Sequence, residues 1–197
     1  MRELEVKRYQ KLNELAKANG IVIFGGNGDT NIPLCELRQA FEVEENMYNR
    51  SLKGLTINEA IEVYDACVSP ISPETVFLHI GECDLNMLKQ NPSEFDDKYA
   101  ALIHHIREIN KKCRIAIVSL KNFDNNSELE EMNKHLKYIA NSERCEFEDI
   151  STRRVWNPKA TKDASSFVRS MGFVRALKTP RPLYDLVRIL FCSEVCA

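Results

Sequence analysis

Ile21-Val22-Ile23-Phe24-Gly25-Gly26-Asn27-Gly28 decides the fold. Four large apolar residues, two of them isoleucine and one valine, form a β-branched run too short for a helix. The glycines and asparagine that follow open it into a loop. A second run of this kind, Thr75 to Ile80, follows Pro73 and ends at Gly81, and a third spans Arg114 to Ser119. Continuous apolar strands without polar alternation belong to parallel sheets that are buried on both faces. Met47 to Asn49 is a short further strand, and Cys145 to Ile150 a weaker fifth.

Helical patterns alternate with these strands. Met1 to Asn19 carries Leu4, Leu12 and Leu15 and stops at Gly20; Pro33 to Ala40 is a short helix. Thr56 and Glu59 have capping-box spacing, and Ile57, Ala60, Ile61, Tyr64 and Val68 then share a face. Ser93 is placed to cap a helix bearing Tyr99, Leu102, Ile103, Ile106 and Ile109, and Ser127 to start one bearing Leu129, Met132, Leu136 and Ile139. Val168 to Leu177 and Leu183 to Phe191 read as two last helices, separated by the prolines between Thr179 and Pro182. Alternating βα units predict a three-layer α/β/α domain with a mainly parallel five-stranded sheet of flavodoxin type. Ligands in such sheets bind beyond the carboxyl ends of the strands, which directs attention to the loops after Phe24, Asn49, Ile80 and Ser119.

The 197 residues suit one domain over 1–197, with 44 % apolar and 28 % charged residues arguing against disorder. The formal charge of −2 argues against a wholly basic nucleic-acid binder. No apolar run approaches the roughly 18 residues of a membrane span, and the charged start does not resemble a signal peptide, so a cytoplasmic location is expected. Seven cysteines without a CxxC pair suggest reduced thiols, with neither a disulfide framework nor a zinc site. No metal or other cofactor is expected, and the oligomeric state is not specified. Residues 151–197 hold nine basic and three acidic residues, leaving eighteen and twenty-six for the rest, a net of +6 against −8. That segment either lies on the acidic body or docks an acidic partner.

The loop Phe24 to Thr30 matches neither the GxGxxG nor the GxxxxGK[ST] pattern, so nucleotide binding has little support. Its Asn, Gly and Asp residues are turn formers. The order of IVIFGGN (Ile21 to Asn27), MYNRSLKGLT (Met47 to Thr56), SPETVFLHIGECDL (Ser72 to Leu85) and RIAIVSL (Arg114 to Leu120) resembles the SGNH or GDSL hydrolases over roughly Ile21 to Ile150. That resemblance implies a flavodoxin-like sheet and the hydrolysis of acyl esters, lipids or sugar acetyl groups.

The departures from the family pattern are chemical. Where the family has the GDS triplet with its serine nucleophile, this chain has Gly25, Gly26 and Asn27, and a carboxamide cannot accept an acyl group. Gly54 matches the glycine whose backbone amide helps to hold the oxyanion. The GxND oxyanion segment becomes Gly81, Glu82, Cys83 and Asp84, with a thiol replacing the amide donor, a loss worth about 100- to 1000-fold in rate. The DxxH is at best Asp163, Ala164, Ser165 and Ser166, without histidine. The four histidines, at 79, 104, 105 and 135, all precede that region and read as structural.

The expected protein is thus an SGNH-like fold with a degenerate site, a non-catalytic binding or scaffolding protein for a small polar or acyl-bearing ligand, lined by Asn27, Gly54, Cys83 and Asp84. The alternative is an acyl-ester hydrolase with a displaced nucleophile. Thr30, in the Gly28, Asp29, Thr30 echo of GDS, and Cys83 are the candidates, each lacking an identified base.

Overall fold

Five parallel strands carry the molecule. In the computed structural model, which describes residues 2–122, 124–151 and 183–192, they are β1 (Ile21–Gly25), β2 (Met47–Asn49), β3 (Thr75–His79), β4 (Arg114–Val118) and β5 (Glu146–Glu148), in the order β2-β1-β3-β4-β5. The register sets Gly25 beside His79 and Leu78 beside Ile117. The expected doubly wound α/β/α sheet is therefore present. Every β1 residue is buried, as an apolar strand without alternation requires.

Alternate strand residues feed two cores. Val22, Phe24, Val76, Leu78, Ile115 and Ile117 face one layer of helices, formed by α3 (Ala60–Cys67), α5 (Pro92–Ile109) and α6 (Ser127–Ser142). Ile21, Ile23, Phe77, Ala116 and Val118 face the other, where α2 (Leu34–Ala40) supplies Leu37. The second face also receives α7 (Leu183–Phe191), which buries Leu183, Leu186, Val187, Ile189, Leu190 and Phe191. At roughly 1.5–3 kcal/mol for each large side chain removed from water, that stripe fixes α7 on the sheet. The short α4 (Leu85–Gln90) contacts α5 and α6.

The amino-terminal α1 (Arg2–Asn13) is attached differently. Arg50 is 4 % exposed; its guanidinium lies over the rings of Tyr9 and Tyr48, with centroids at 5.1 and 5.5 Å, and its Nε donates to Asn13 Oδ1 at 2.9 Å. Tyr9 Oη donates to the Ser51 carbonyl at 2.7 Å. Among the described residues no carboxylate pairs with Arg50.

Two helix starts differ from the sequence reading, whereas α6 begins at Ser127 as expected. Asn91, not Ser93, caps α5, accepting from Glu94 N ahead of Pro92; Asn126 caps α6 by accepting from Glu128 N. Both asparagines lie just outside the helix, where an Asx side chain reaches the second or third amide. The Thr56–Glu59 capping box is not formed; a turn over 57–59 precedes α3, and the Ile57 amide is taken by Asp84. The helix over Val168 to Leu177, Asp163 to Ser166 and most of the basic segment lie outside the described residues. In α7, Arg188 donates to Tyr184 Oη at 2.9 Å and stacks on that ring.

Candidate functional site

Three loops at the carboxyl ends of β1, β2 and β3 meet on one side chain. Asn27 opens a 3-10 turn, Asn27–Asn31, directly after β1. Its Oδ1 accepts from the backbone N–H of Gly54 at 3.0 Å, and its Nδ2 donates to Glu82 Oε2 at 2.9 Å. Nδ2 also lies 3.5 Å from Cys83 Sγ. This network fixes the orientation of the carboxamide, with oxygen toward the amide and nitrogen toward the carboxylate. Gly54 has φ +70°, so the turn that aims its N–H at Asn27 favours glycine. Gly81, at φ +136°, turns the chain from β3 into Glu82 and Cys83; a Cβ there would meet Met132 Sδ at 3.1 Å.

The other candidates have defined places. Thr30 Oγ1 donates to the Asn27 carbonyl at 2.9 Å, closing the 3-10 turn. Cys83 is half-buried between exposed Glu82 and buried Asp84. Asp84 is 3 % exposed, and both carboxylate oxygens accept from Ile57 N at 3.1 Å. Its carboxylate thus ties the β3 loop to the turn before α3 and belongs to the packing behind the site. Burial pushes its pKa above the usual carboxylate value, opposed by the Ile57 N–H and by Lys98.

The feature that sequence reasoning missed is a buried pair, His79 with Asp29. His79 Nδ1 lies 2.9 Å from both Asp29 oxygens, and the two side chains are 12 % and 7 % exposed. Burial alone would lower the pKa of His79; the Asp29 carboxylate, by charge and hydrogen bond, outweighs it, and the net direction is upward. Lys121 pushes the other way. The Asp29 carboxylate fits only because position 25 is glycine: a Cβ on Gly25 would overlap Asp29 Oδ2 and come within 2.8 Å of the His79 carbonyl. The signal for this pair was the place of His79, two residues before Gly81 and at the carboxyl end of its strand, where these sheets hold their sites.

The pair lies in the wall of a cavity of about 170 Å³. Gly26, Gly28, Glu82 and Lys121 complete its polar side; Ile32, Leu129, Leu190 and Phe191 form an apolar one. The Phe191 ring meets His79 edge-on at 5.0 Å, so α7 closes part of the rim. Of the expected ligand-lining residues, Asn27 and Gly54 bond to each other with Cys83 beside them, while Asp84 is turned toward Ile57. Among the described residues no group of three metal-binding side chains occurs.

No family model and no curated protein matches the chain in sequence. Solved structures do match. A Streptococcus pneumonia protein labelled a platelet activating factor superposes with a TM-score of 0.65 at 19 % identity, covering 80 % of this chain and 78 % of that one. A GDSL-like lipase from Bacteroides thetaiotaomicron gives 0.55 at 17 %, over 78 % and 81 %. The fold is that of the SGNH/GDSL hydrolases. An acetyl-xylooligosaccharide esterase from Geobacillus stearothermophilus shares the SGNH/GDSL fold with a TM-score of 0.56 at 16 % identity, over 83 % of this chain and 99 % of that one. These identities establish architecture, and chemistry has to be argued from the residues.

On the SGNH/GDSL frame, a base would have to come from histidine, lysine or a carboxylate. All four histidines lie among the described residues, and each is held by a carboxylate: His79 by Asp29, His104 by Glu143, His105 by Asp65 and His135 by Asp96. None is hydrogen-bonded to Thr30 or Cys83. No helix among the described residues is long and apolar enough to cross a membrane.

Proposed function

We propose that this chain is a non-catalytic ligand-binding protein on the SGNH/GDSL fold, with its ligand in the cavity between Lys121, Glu82 and α7. One observation carries the reading: the Asn27 carboxamide occupies the Gly54 N–H that would otherwise be offered to a developing oxyanion. An amide nitrogen carries no lone pair suited to acyl transfer, and its oxygen fills the donor, so position 27 supplies neither attack nor an open hole. The bonds of the four histidines support the same conclusion, since a displaced hydroxyl or thiol needs a base within hydrogen-bond reach and none of the four is bonded to Thr30 or Cys83.

The test combines turnover and trapping. The purified chain is incubated with short-chain nitrophenyl esters, a fluorophosphonate and a thiol-directed electrophile, and separately screened for thermal protection by small polar metabolites. The expected result is no turnover above the buffer rate and saturable protection by a metabolite. Turnover abolished by Thr30→Ala or Cys83→Ala would establish the hydrolase alternative in its place.

A further inference from the structure

We propose that Asn27 is a self-processing residue, whose carboxamide closes onto the Gly28 nitrogen to give a cyclic imide that water opens to aspartate or isoaspartate, with loss of ammonia. The chain holds two Asn–Gly pairs, Asn19–Gly20 and Asn27–Gly28. This dipeptide favours such closure because glycine puts no Cβ beside the attacking nitrogen and leaves the backbone free to turn. The fold treats the two pairs differently.

At Asn27 both reacting groups are activated. The Gly54 N–H donates to Oδ1 at 3.0 Å, so it draws charge from Cγ and stands where negative charge on that oxygen would develop. Thr30 Oγ1 donates to the Asn27 carbonyl at 2.9 Å, which favours the deprotonated form of the Gly28 peptide nitrogen. The amide N–H of Gly28 makes no hydrogen bond among the described residues, and Gly28 is exposed, with open space where a Cβ would lie. Asn19–Gly20 has the opposite setting. Gly20 is buried, a Cβ there would meet Tyr48 Cε2 at 2.7 Å and the Asn46 carbonyl at 2.8 Å, and its own carbonyl accepts from Glu74 N at 3.0 Å. Turning that peptide toward the Asn19 carboxamide would pull the start of β1 away from β2 and β3.

The step balances with water as the co-reactant. Hydroxide takes the Gly28 N–H proton, the nitrogen lone pair bonds to Asn27 Cγ, and the carbonyl π pair moves to Oδ1 against the Gly54 N–H. When that carbonyl re-forms, the Cγ–Nδ2 bond breaks and Nδ2 leaves as ammonia with a proton from water. Water then adds to one imide carbonyl and opens the ring; nothing is oxidised or reduced. The product carboxylate keeps an acceptor for Gly54 but has no hydrogen for Glu82, so a 2.9 Å hydrogen bond becomes a contact between like charges.

The experiment incubates the full chain at mildly alkaline pH, folded and in urea, until the unfolded sample has converted half of both asparagines; peptide mass spectrometry follows each one separately. In the folded chain Asn27 is expected to convert about tenfold or more faster than Asn19, a donor aimed at developing negative charge being worth at least that much, whereas in urea the two rates should converge. Gly28→Ala, at an exposed and open position, should remove most of the Asn27 conversion and leave Asn19 unchanged. An Asn27 that stays intact in the folded chain, or converts no faster than Asn19, overturns self-processing, as does an Asn27 rate unchanged in Gly28→Ala. The wild-type comparison of the two asparagines decides even where the variant folds poorly.

Discussion

The side-chain oxygen of Asn27 sits 3.0 Å from the backbone nitrogen of Gly54, so the chain is itself the ligand of an amide that the fold presents in the loop after β2. Restoring a hydroxyl there does not restore a catalyst. Asn27→Ser is expected to show no nitrophenyl-ester turnover, since none of the four histidines is hydrogen-bonded to residue 27, and to cost about 1–2 kcal/mol in urea denaturation through the lost bonds to Gly54 and Glu82. Turnover in Asn27→Ser that vanishes in Asn27→Ser/His79→Gln would show that the imidazole can serve as a base after all.

The buried pair sets a pH dependence. The folded-state pKa of His79 lies above its unfolded value of about 6.5, so its contribution to stability is fully present below that value and lost as pH rises through the folded-state pKa. The stability difference between the wild type and His79→Gln, measured by urea titration from pH 6 to pH 9, is expected to shrink with rising pH. A difference that grows over this range would mean that the imidazole is buried neutral.

Two adjacent glycines should respond in opposite ways. Gly25→Ala drives a methyl into the Asp29 carboxylate and the His79 carbonyl, where the strand backbone cannot yield, and is expected to cost about 1–3 kcal/mol. A methyl on Gly26 would meet nothing within 4 Å, and the φ there is −108°, so Gly26→Ala should fall within about 0.5 kcal/mol of wild type. Thermal or chemical denaturation of the two variants side by side checks this.

Phe191 joins α7 to both the core and the cavity, with its ring edge-on to Phe77 at 6.2 Å and to His79 at 5.0 Å. Phe191→Ala is expected to cost about 3–5 kcal/mol and to weaken any ligand held in the cavity. Phe191→Leu, which keeps most of the volume, should recover most of the stability.

The carboxylate of Asp84 provides a test of its packing role. Asp84→Asn keeps an oxygen for the Ile57 N–H and removes a buried charge whose pKa is already raised, so it should be close to neutral at pH 7. Asp84→Ala orphans that amide and should cost about 1–3 kcal/mol. Equal losses in the two variants would point instead to a need for the ionised group.

The strands and the parallel sheet were legible because β-branched runs such as Ile21 to Phe24 carry their own signal, and the match of Leu183–Phe191 to a helix followed from its apolar stripe. Helix caps were less so: Ser93 and Asn91 are both capping types, and only the chain's entry angle at Pro92 selects between them. The site was half legible. Asn27 and Gly54 could be placed by their loops, but the Asp29–His79 pair joins residues fifty positions apart, and nothing local marks a turn aspartate as the partner of a strand histidine. Asp84 looked like a site residue for the converse reason: its neighbours line the loop, while the side chain points to Ile57.

The clamp on α1 has a practical corollary. Because Arg50 is held by two phenol rings and an amide oxygen, with no anion among the described residues to be shielded, raising ionic strength should leave the amino-terminal helix in place. Clipping that helix away would strip the guanidinium of its Tyr9 and Asn13 partners and uncover it, so residues 2–13 act as a cover whose removal changes the surface of the whole β2 edge.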